Sequence, residues 1–357
     1  MKKLFALILA GALAAGTLTA CGSTAVVAVP QPEESAPPAG ESTQVSTPEN
    51  SGAAVKTGYY LGTDISGSKS AAAEEEGVAQ ANLELVAVTV TDEGVIDDCV
   101  IDAIQSKINF DATGAITTDL TAPVLSKNEL GSNYGMVKAS SIGKEWNEQV
   151  QALADYVEGK TLDEIRGIAV TEEGKAGEAD LAASVTISIA GYLDAIEQAA
   201  ANATHLGARQ GDTLVLTTST DIAGSKDAGP EGDGTAQTYA TVAAITLNGD
   251  VITSCIIDAV QADVNFDTAG AVTTDLTAPV LSKNQLGDDY GMKKASSIGK
   301  EWYEQAAAFS AYVVGKTPEE VSGIAINEKG GAADADLAAS VTVSIGEFQA
   351  LVAKAGA

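Results

Sequence analysis

The spacing of apolar side chains divides most of the chain into strands and helices. The segment VAVTVTDEGVIDDCVIDAI (residues 86–104) alternates apolar and polar residues on both sides of Asp92-Glu93-Gly94, which predicts a β-hairpin. The segment VAAITLNGDVITSCIIDAV (residues 242–260) does the same around Asn248-Gly249, a dipeptide typical of tight hairpin turns. Two β-rich regions are therefore predicted, one in each half of the chain.

Helical spacing follows each predicted hairpin. A helix is expected from about Ile142 to Gly159, where a glycine ends it, because apolar residues recur there at steps of three and four. Thr161 to Ile165 and the stretch beginning at Thr317-Pro318 predict short capped helices, with Pro318 in the first turn. A strand is expected around Ile168 to Thr171. The apolar positions of a last helix in the first half are Ile189, Leu193 and Ile196.

A long internal repeat at a spacing of 156 residues relates the two halves. Residues 117–146 recur as residues 273–302 with four differences in thirty positions. The predicted strands upstream have diverged much further. Each copy reads as a strand-rich region followed by helices, so we expect the α+β class, with an antiparallel sheet and packed helices in each of two tandem domains. The expected domain ranges are 57–203 and 210–357, each long enough to bury a core.

The first residues indicate export. Lys2 and Lys3 precede an apolar run from Leu4 to Leu18 that is too short for a stable membrane-spanning helix, as in signal peptides. The run ends in Leu-Thr-Ala-Cys21, which resembles the bacterial lipobox, in which the cysteine is lipidated. Residues 1–20 are therefore expected to be a signal peptide, and Cys21 to anchor the protein to the outer face of the cell membrane.

A tether is predicted between this anchor and the first domain. Residues 21–56 are acidic and rich in proline and serine, without a sustained apolar period, which is typical of disordered linkers.

Charge and rare residues narrow the function further. The formal net charge is −29, and removal of residues 1–20 makes it −31, which argues against a nucleic-acid partner. The single histidine, His205, lies in the predicted connector between the domains, which argues against Ser-His-Asp and Cys-His catalysis and against histidine metal clusters in either domain. Cys99 and Cys255 fall at equivalent strand positions and are expected to be buried, small apolar side chains. No motif for a metal site is present.

The best functional candidate is a motif that occurs once in each half. It reads ADLAASVTIS at residues 179–188 and ADLAASVTVS at residues 335–344. Its simplest interpretation is helix capping by Asp180 and Ser184, with Thr186 in the first turn of the last helix. The residues equivalent to these three in the second half are Asp336, Ser340 and Thr342.

The motif also resembles that of the FMN-binding domain family of exported flavoproteins. In that family an aspartate precedes, at the same six-residue offset, a threonine that receives FMN through a phosphodiester bond. The resemblance implies covalent FMN on Thr186 and Thr342, with Asp180, Asp336, Ser184 and Ser340 nearby, and a non-covalent flavin or another ligand is the alternative. A threonine hydroxyl at a helix N-terminus would suit such a phosphate.

The near-identical segment offers further candidates for a binding site. Tyr134 and Trp146 in the first half, and Tyr290 and Trp302 in the second, have rings on which a flavin could stack. Asn128, Lys144, Asn284 and Lys300 could add hydrogen bonds or charge. The alternative is structural: the tryptophan anchors a helix on the sheet, the tyrosine packs a loop, and Lys144-Glu145 lies on a solvated face. Asp119 and Asp275 are expected to stabilise turns.

Two functions follow from these patterns. The resemblance implies a lipid-anchored flavin carrier in extracytosolic electron transfer, whose partners would be a flavin transferase and redox proteins. The alternative is a non-enzymatic surface lipoprotein for binding or adhesion that keeps the fold without flavin, and the aromatic content of only 4% favours it.

Overall fold

A computed structural model describes residues 51–357. They contain two three-stranded antiparallel sheets and ten α-helices, so the described chain belongs to the α+β class. Residues 51–203 are called the first half below, residues 210–357 the second half, and residues 204–209 the connector. The predicted signal peptide, Cys21 and most of the predicted tether lie outside the described residues.

The first half begins with its sheet. The strands are β1 (Lys56–Asp64), β2 (Gly77–Val90) and β3 (Ile96–Phe110). The helices are α1 (Lys127–Leu130), α2 (Trp146–Val157), α3 (Leu162–Arg166), α4 (Ala179–Ala182) and α5 (Ala190–Ala201), with two 3₁₀ turns, Gly131–Tyr134 and Met136–Lys138, between α1 and α2.

The second half has the same elements in the same order. Its strands are β4 (Thr213–Asp221), β5 (Gly234–Asn248) and β6 (Val251–Phe266). Its helices are α6 (Lys283–Leu286), α7 (Trp302–Val313), α8 (Pro318–Ser322), α9 (Ala335–Ala338) and α10 (Gly346–Lys354), with 3₁₀ turns at Gly287–Tyr290 and Met292–Lys294.

Both predicted hairpins are present, and their turns differ in length by one residue. In the first half Val90 pairs with Ile96, whereas in the second Leu247 pairs with Ile252. Structurally equivalent residues are therefore 157 positions apart before this turn and 156 after it. The predicted spacing of 156 was therefore wrong by one residue for the strands upstream of the turn. A shift of one residue turns alternate side chains to the opposite face of a sheet.

Each sheet buries both of its faces. On one face of the first sheet, Val86 and Val88 pack with helices α2 and α5 in one hydrophobic cluster. On the other face, Leu83 and Leu85 join a cluster that also contains residues of β5 and β6. The two sheets therefore pack against each other and carry helices on their outer faces, and residues 51–357 lie within one compact unit.

The contact between the sheets is nearly symmetric. Phe110 and Phe266 stack with their ring centres 4.0 Å apart. The N–H of Ala71 donates to the carbonyl of Gly270 at 2.7 Å, and the equivalent N–H of Ala228 donates to the carbonyl of Gly114 at 2.8 Å. Such reciprocal pairs are the pattern of a two-fold interface between identical subunits, here within one chain.

Several predicted details differ. The helix expected from Ile142 begins at Trp146, because the capping box of Glu145 and Glu148 starts it there. The strand expected at residues 168–171 is reduced to one bridge between Val170 and Ala176. Residues 54–56 of the predicted tether belong to the fold, since Val55 is fully buried and donates its N–H to the connector at residue 208.

Other details agree. Gly159 follows α2 with φ 75°, Pro318 opens α8, and Ile189, Leu193 and Ile196 are buried. Within residues 51–357, no helix combines the length and apolar character needed to cross a membrane.

Candidate functional site

The candidate acceptor threonines lie in loops, not in helices. Thr186 comes four residues before α5, so its predicted place in the first turn of a helix was wrong. Its N–H and its hydroxyl both donate to Gln149 Oε1 of α2, at 2.8 and 3.1 Å. Thr342 donates to Gln305 Oε1 of α7 in the same way, at 2.7 and 3.1 Å. Both glutamines are fully buried. These hydrogen bonds therefore hold each loop against a helix.

The backbone around these threonines is already hydrogen-bonded. Every N–H from residue 182 to residue 187 donates to a protein acceptor, and the same is true from residue 338 to residue 343. A phosphate at a helix N-terminus relies on N–H groups that have no partner in the helix. These two loops have no such donor in this conformation, and Val185 stands where the family motif has alanine after glycine. The loops therefore do not fit a flavin phosphate.

The polar residues of the motif do not cap the last helix. Asp180 and Asp336 are the exposed second residues of α4 and α9. The cap of α9 is Asp334, whose carboxylate accepts two backbone N–H groups at 3.0 Å. Ser184 and Ser340 follow α4 and α9, and neither α5 nor α10 has a side-chain cap. The predicted capping of the last helix was therefore wrong in both halves.

The aromatic candidates of the first half surround a lysine. Lys127 Nζ lies 4.8 Å from the ring centre of Trp146 and 5.0 Å from that of Tyr134. Trp146 is buried and contacts Tyr192 of α5 edge to face, with ring centres 6.2 Å apart. The structure thus brings the two predicted aromatic residues together around an amine, a cation–π arrangement.

The aromatic candidates of the second half enclose the equivalent lysine more completely. Lys283 Nζ lies 4.9 Å from the ring centre of Trp302, 5.1 Å from that of Tyr290 and 4.7 Å from that of Tyr239. It donates to the Tyr239 hydroxyl at 2.9 Å, and the residue is only 7% exposed. Burial lowers the pKa of Lys283, and the charge of Glu347 opposes this shift.

Each lysine is near a carboxylate that a different element supplies in each half, and Lys283 also has Asp258 of β6 nearby. In the first half it is Glu84 of β2, and burial raises its pKa while the lysine lowers it. The strand register places Thr241 at this position in the second half, where Glu347 of α10 supplies the carboxylate. The counterpart of Glu347 is Gly191, at which a Cβ would lie 3.3 Å from the Glu84 oxygens. A glutamate on the strand and a glutamate on the helix would therefore occupy the same space, and each half has one of the two.

A cavity of about 460 Å³ opens beside this group in the first half. It lies between the outer face of the first sheet and the start of α5. Asp64 at the end of β1 lines it, and the strand register puts its side chain on the same face as those of Asn82 and Glu84. Its other charged lining residues are Glu84 and Lys127, and Tyr60, Asn82, Gln105 and Tyr192 add polar groups.

Two substitutions between the halves keep this cavity open. Asn82 and Gly191 line it; the strand register places Tyr239 at the first position in the second half, and the spacing of 156 residues places Glu347 at the second. These larger side chains contact or approach the buried Lys283 there. The first half has therefore kept an open space that the second half fills with its own side chains.

The near-identical segment builds loops with internal hydrogen bonds. Glu145 is 7% exposed, and its carboxylate accepts the N–H groups of Met136 and Val137 at 2.7 and 3.2 Å. The prediction that Lys144-Glu145 lies on a solvated face was therefore wrong for the glutamate. The carbonyls of Lys144 and Lys300 accept from Gln149 and Gln305, at 3.2 Å each.

Its remaining polar candidates also have structural partners. The amides of Asn128 and Asn284 donate to carbonyls of β3 and β6, at 2.9 and 3.0 Å. Asp119 accepts the N–H of residue 121 at 2.9 Å, as Asp275 does from residue 277, and both therefore stabilise turns as predicted.

Sequence reasoning missed the polar residues around the lysines. The only indication in the sequence that Lys127 belongs to a site is its position beside Asn128 in the repeated segment. The sequence did not show that Glu84 faces outward on β2. Nor did it show that Gln149 faces inward on α2, where it is buried. Cys99 and Cys255 are free and buried as predicted. Among the described residues, no group of three or more His, Cys, Asp or Glu is placed to hold a metal ion.

No protein-family model, curated protein or solved structure matches this chain.

Proposed function

We propose that this chain is a non-enzymatic, exported ligand-binding protein that takes up a small polar molecule in the cavity of its first half. The observation that carries the proposal is the cavity of about 460 Å³, in which Lys127 and Glu84 remain half-buried rather than covered. Ligand cavities have volumes of about 300–1,000 Å³ and few, convergent polar groups.

The chemistry of the lining favours a polar ligand without a large net charge. One ammonium, of Lys127, and two carboxylates, of Asp64 and Glu84, line the space, with two tyrosines and the amides of Asn82 and Gln105 around them. An amino acid has an ammonium and a carboxylate that would pair with the charged groups, and a small sugar has hydroxyls that would bond to the amides and carboxylates.

The cavity is tested with a substitution taken from the second half. Asn82→Tyr introduces the residue found at this position in β5, and it is expected to fill the cavity without disturbing the sheet. Wild-type protein and variant are incubated with a defined mixture of amino acids, sugars, nucleosides and flavins, and the retained molecules are identified by mass spectrometry. We expect a polar solute that the variant retains at least tenfold less.

A control variant isolates the cavity from general effects of an added ring. Glu93→Tyr places the same side chain in the exposed turn between β2 and β3 and should retain the solute as the wild type does. Equal retention by the wild type and Asn82→Tyr, or retention of nothing in the mixture by the wild type, would overturn the proposal.

A flavin carrier is the second candidate. It is favoured by the same aspartate-to-threonine offset in both halves, and by the exposure of Thr342, which a transferase could reach. The intact mass of the protein coexpressed with a flavin transferase decides between the two. An unchanged mass supports the binding protein, whereas two FMN increments that disappear in the double variant Thr186→Ala, Thr342→Ala would establish the carrier.

The proposed location depends on Cys21. If Cys21 is the lipid attachment site, the wild type should partition into the membrane fraction and incorporate labelled palmitate. Cys21→Ser should incorporate none and leave the membrane fraction. Palmitate incorporation by the Cys21→Ser variant would contradict this location.

A further inference from the structure

A second cavity, of about 330 Å³, lies between the connector and the outer face of α7. It is separate from the cavity of the first half and shares no lining residue with it. Tyr59 of β1 and Asn284 of the second half both line it, so both halves contribute. No charged side chain is among its lining residues.

The helix beside this cavity has an unusual pattern when it is compared with α2. Two outward positions of α2 and the exposed residue that follows it are polar or charged, and the equivalent positions of α7 and the residue after it are apolar. Single exposed apolar residues are common on protein surfaces, whereas apolar residues that line one groove together mark a ligand or interaction site. The three pairs, first half before second, are Gln151 and Ala307, Asp155 and Ala311, and Glu158 and Val314.

The inward-facing position between them is apolar in α2 and polar in α7. Ala154 of α2 is replaced in α7 by Ser310, which lines the cavity and is only 4% exposed. Its Oγ is buried without a hydrogen-bond partner, apart from the neighbouring Cys255 thiol. A buried hydroxyl without a good partner destabilises a fold by about 1–3 kcal/mol, so its presence calls for an explanation.

A second polar atom in the same wall is also unpartnered. Asn284 Oδ1 is buried and has no hydrogen-bond partner. The orientation of this amide is fixed, because its Nδ2 donates at 3.0 Å to the carbonyl of Ile257, which can only accept. The unpartnered atom is therefore an acceptor, and a ligand would have to offer it a donor.

We propose that this cavity binds a small, neutral, mainly apolar molecule with a hydroxyl or N–H group, which donates to Asn284 Oδ1 or pairs with Ser310 Oγ. The apolar residues of α7 and Leu206 of the connector cover its hydrocarbon part. The absence of charged residues from the lining selects against ions. Burial raises the pKa of the Cys255 thiol to about 12, so binding is reversible rather than through a thiolate.

The test uses two probes that differ only in the donor. 2-Naphthol carries a hydroxyl, and 2-methoxynaphthalene has the same ring system without the proton. Binding to the mature protein is followed by the fluorescence of the naphthalene ring. We expect saturable binding of 2-naphthol that is at least tenfold tighter than that of the ether.

Three variants assign the binding to this cavity. Ala311→Trp fills it and should abolish binding, whereas Asp155→Trp places the same residue at the equivalent position of α2 and should bind as the wild type does. Ser310→Ala restores the residue found in α2 and should weaken 2-naphthol severalfold while leaving the ether unchanged. Asn82→Tyr, which fills the other cavity, should have no effect, so this result does not depend on the proposed function.

Two results would overturn the inference. One is equal binding of 2-naphthol by the wild type and Ala311→Trp, with circular dichroism showing that both are folded. The other is a concentration-dependent dimer that Ala311→Trp dissociates and that excludes 2-naphthol, which would make this face a contact between two copies of the chain.

Discussion

Gln149 and Gln305 hold the two motif loops in place. The amide oxygen of Gln149 accepts three donors, from the N–H and hydroxyl of Thr186 and the N–H of residue 187, and its Nε2 donates to Ser140. The sequence drew attention to the threonines because they repeat beside an aspartate. The glutamines are 37 residues away along the chain, and only folding shows that they are the partners.

We predict that the glutamine matters more for stability than the threonine. Gln149→Leu leaves several buried donors without acceptors, so it should lower the free energy of unfolding by about 3 kcal/mol. Thr186→Val removes only one hydroxyl donor and should cost about 1 kcal/mol. Urea denaturation measures both. Equal losses would show that the loop does not depend on the amide.

A buried carboxyl in β3 should make the stability depend on pH. Burial raises the pKa of Asp102 to about 6, although hydrogen bonds from Ser126 and the N–H of Asn128 oppose the shift, and the charge of Glu129 adds to it. The unfolded value is about 3.9. Protonation therefore favours the folded state, so this contribution is fully present below pH 4 and is lost as the pH rises through about 6.

The corresponding prediction concerns Asp102→Asn. Asparagine keeps an oxygen for the two N–H donors but does not ionise, so between pH 4 and pH 7 the variant should lose about 2 to 3 kcal/mol less stability than the wild type. Asp119→Asn is the control, because Asp119 is exposed and hydrogen bonds from Thr121 lower its pKa. Parallel pH profiles for the wild type and Asp102→Asn would rule out this role.

At the scale of elements, the carboxylate beside the lysine comes from a strand in the first half and from a helix in the second. Glu84 on β2 and Glu347 on α10 occupy equivalent regions of the two halves, with Gly191 and Thr241 at the vacated positions. At a spacing of 156 residues Glu84 would correspond to Ala240. The hairpin turn of the second half is one residue shorter, so its structural equivalent is Thr241.

A double-mutant cycle tests this exchange. Gly191→Glu alone places a second carboxylate against Glu84, so it should destabilise the protein by about 1–2 kcal/mol. Glu84→Thr alone removes the carboxylate beside Lys127 and should also destabilise it. The double variant reproduces the second half and should be more stable than the sum predicts by about 1 kcal/mol or more. Additive effects would show that the two positions are independent.

The elements predicted well were those with strong local signals. The hairpins, the glycine after α2 and the proline that opens α8 depend on a few adjacent residues. Strand β1 was not identified as an element, because KTGYYLGTD has a weak alternation and gains its place by pairing with β2. The start of α2 was placed four residues early because its cap is a glutamate rather than a typical N-cap residue.

At the scale of the whole molecule, the two halves stabilise each other through their inner sheet faces. Phe110 and Phe266 stack at the centre of a cluster drawn from both sheets. Gly114 and Gly270 allow the reciprocal backbone contacts: each has positive φ, and a Cβ would lie 2.6–2.7 Å from an alanine of the other half. The halves should therefore unfold together.

The prediction for this interface is a cooperative loss of stability. Phe110→Ala removes a fully buried ring and should cost about 3–5 kcal/mol, with both halves affected in one transition. Hydrogen exchange resolves the two halves, and amides of β5 should lose protection together with those of β2. Unchanged protection in β5 would mean that the second half is stable without its neighbour.

The sequence by itself determined the α+β class, the hairpins, the main helices and the repeat, since these follow from local periodicity, turn residues and internal similarity. The tertiary structure decided which residues meet. Residues that are distant in sequence meet in four places. These are the contact between the two sheets, the aromatic rings around Lys127 and Lys283, the glutamine that binds each threonine, and both cavities. Their positions depend on strand register and on the volume of neighbouring side chains, and a difference as small as Asn82 for Tyr239 decides whether a space stays open.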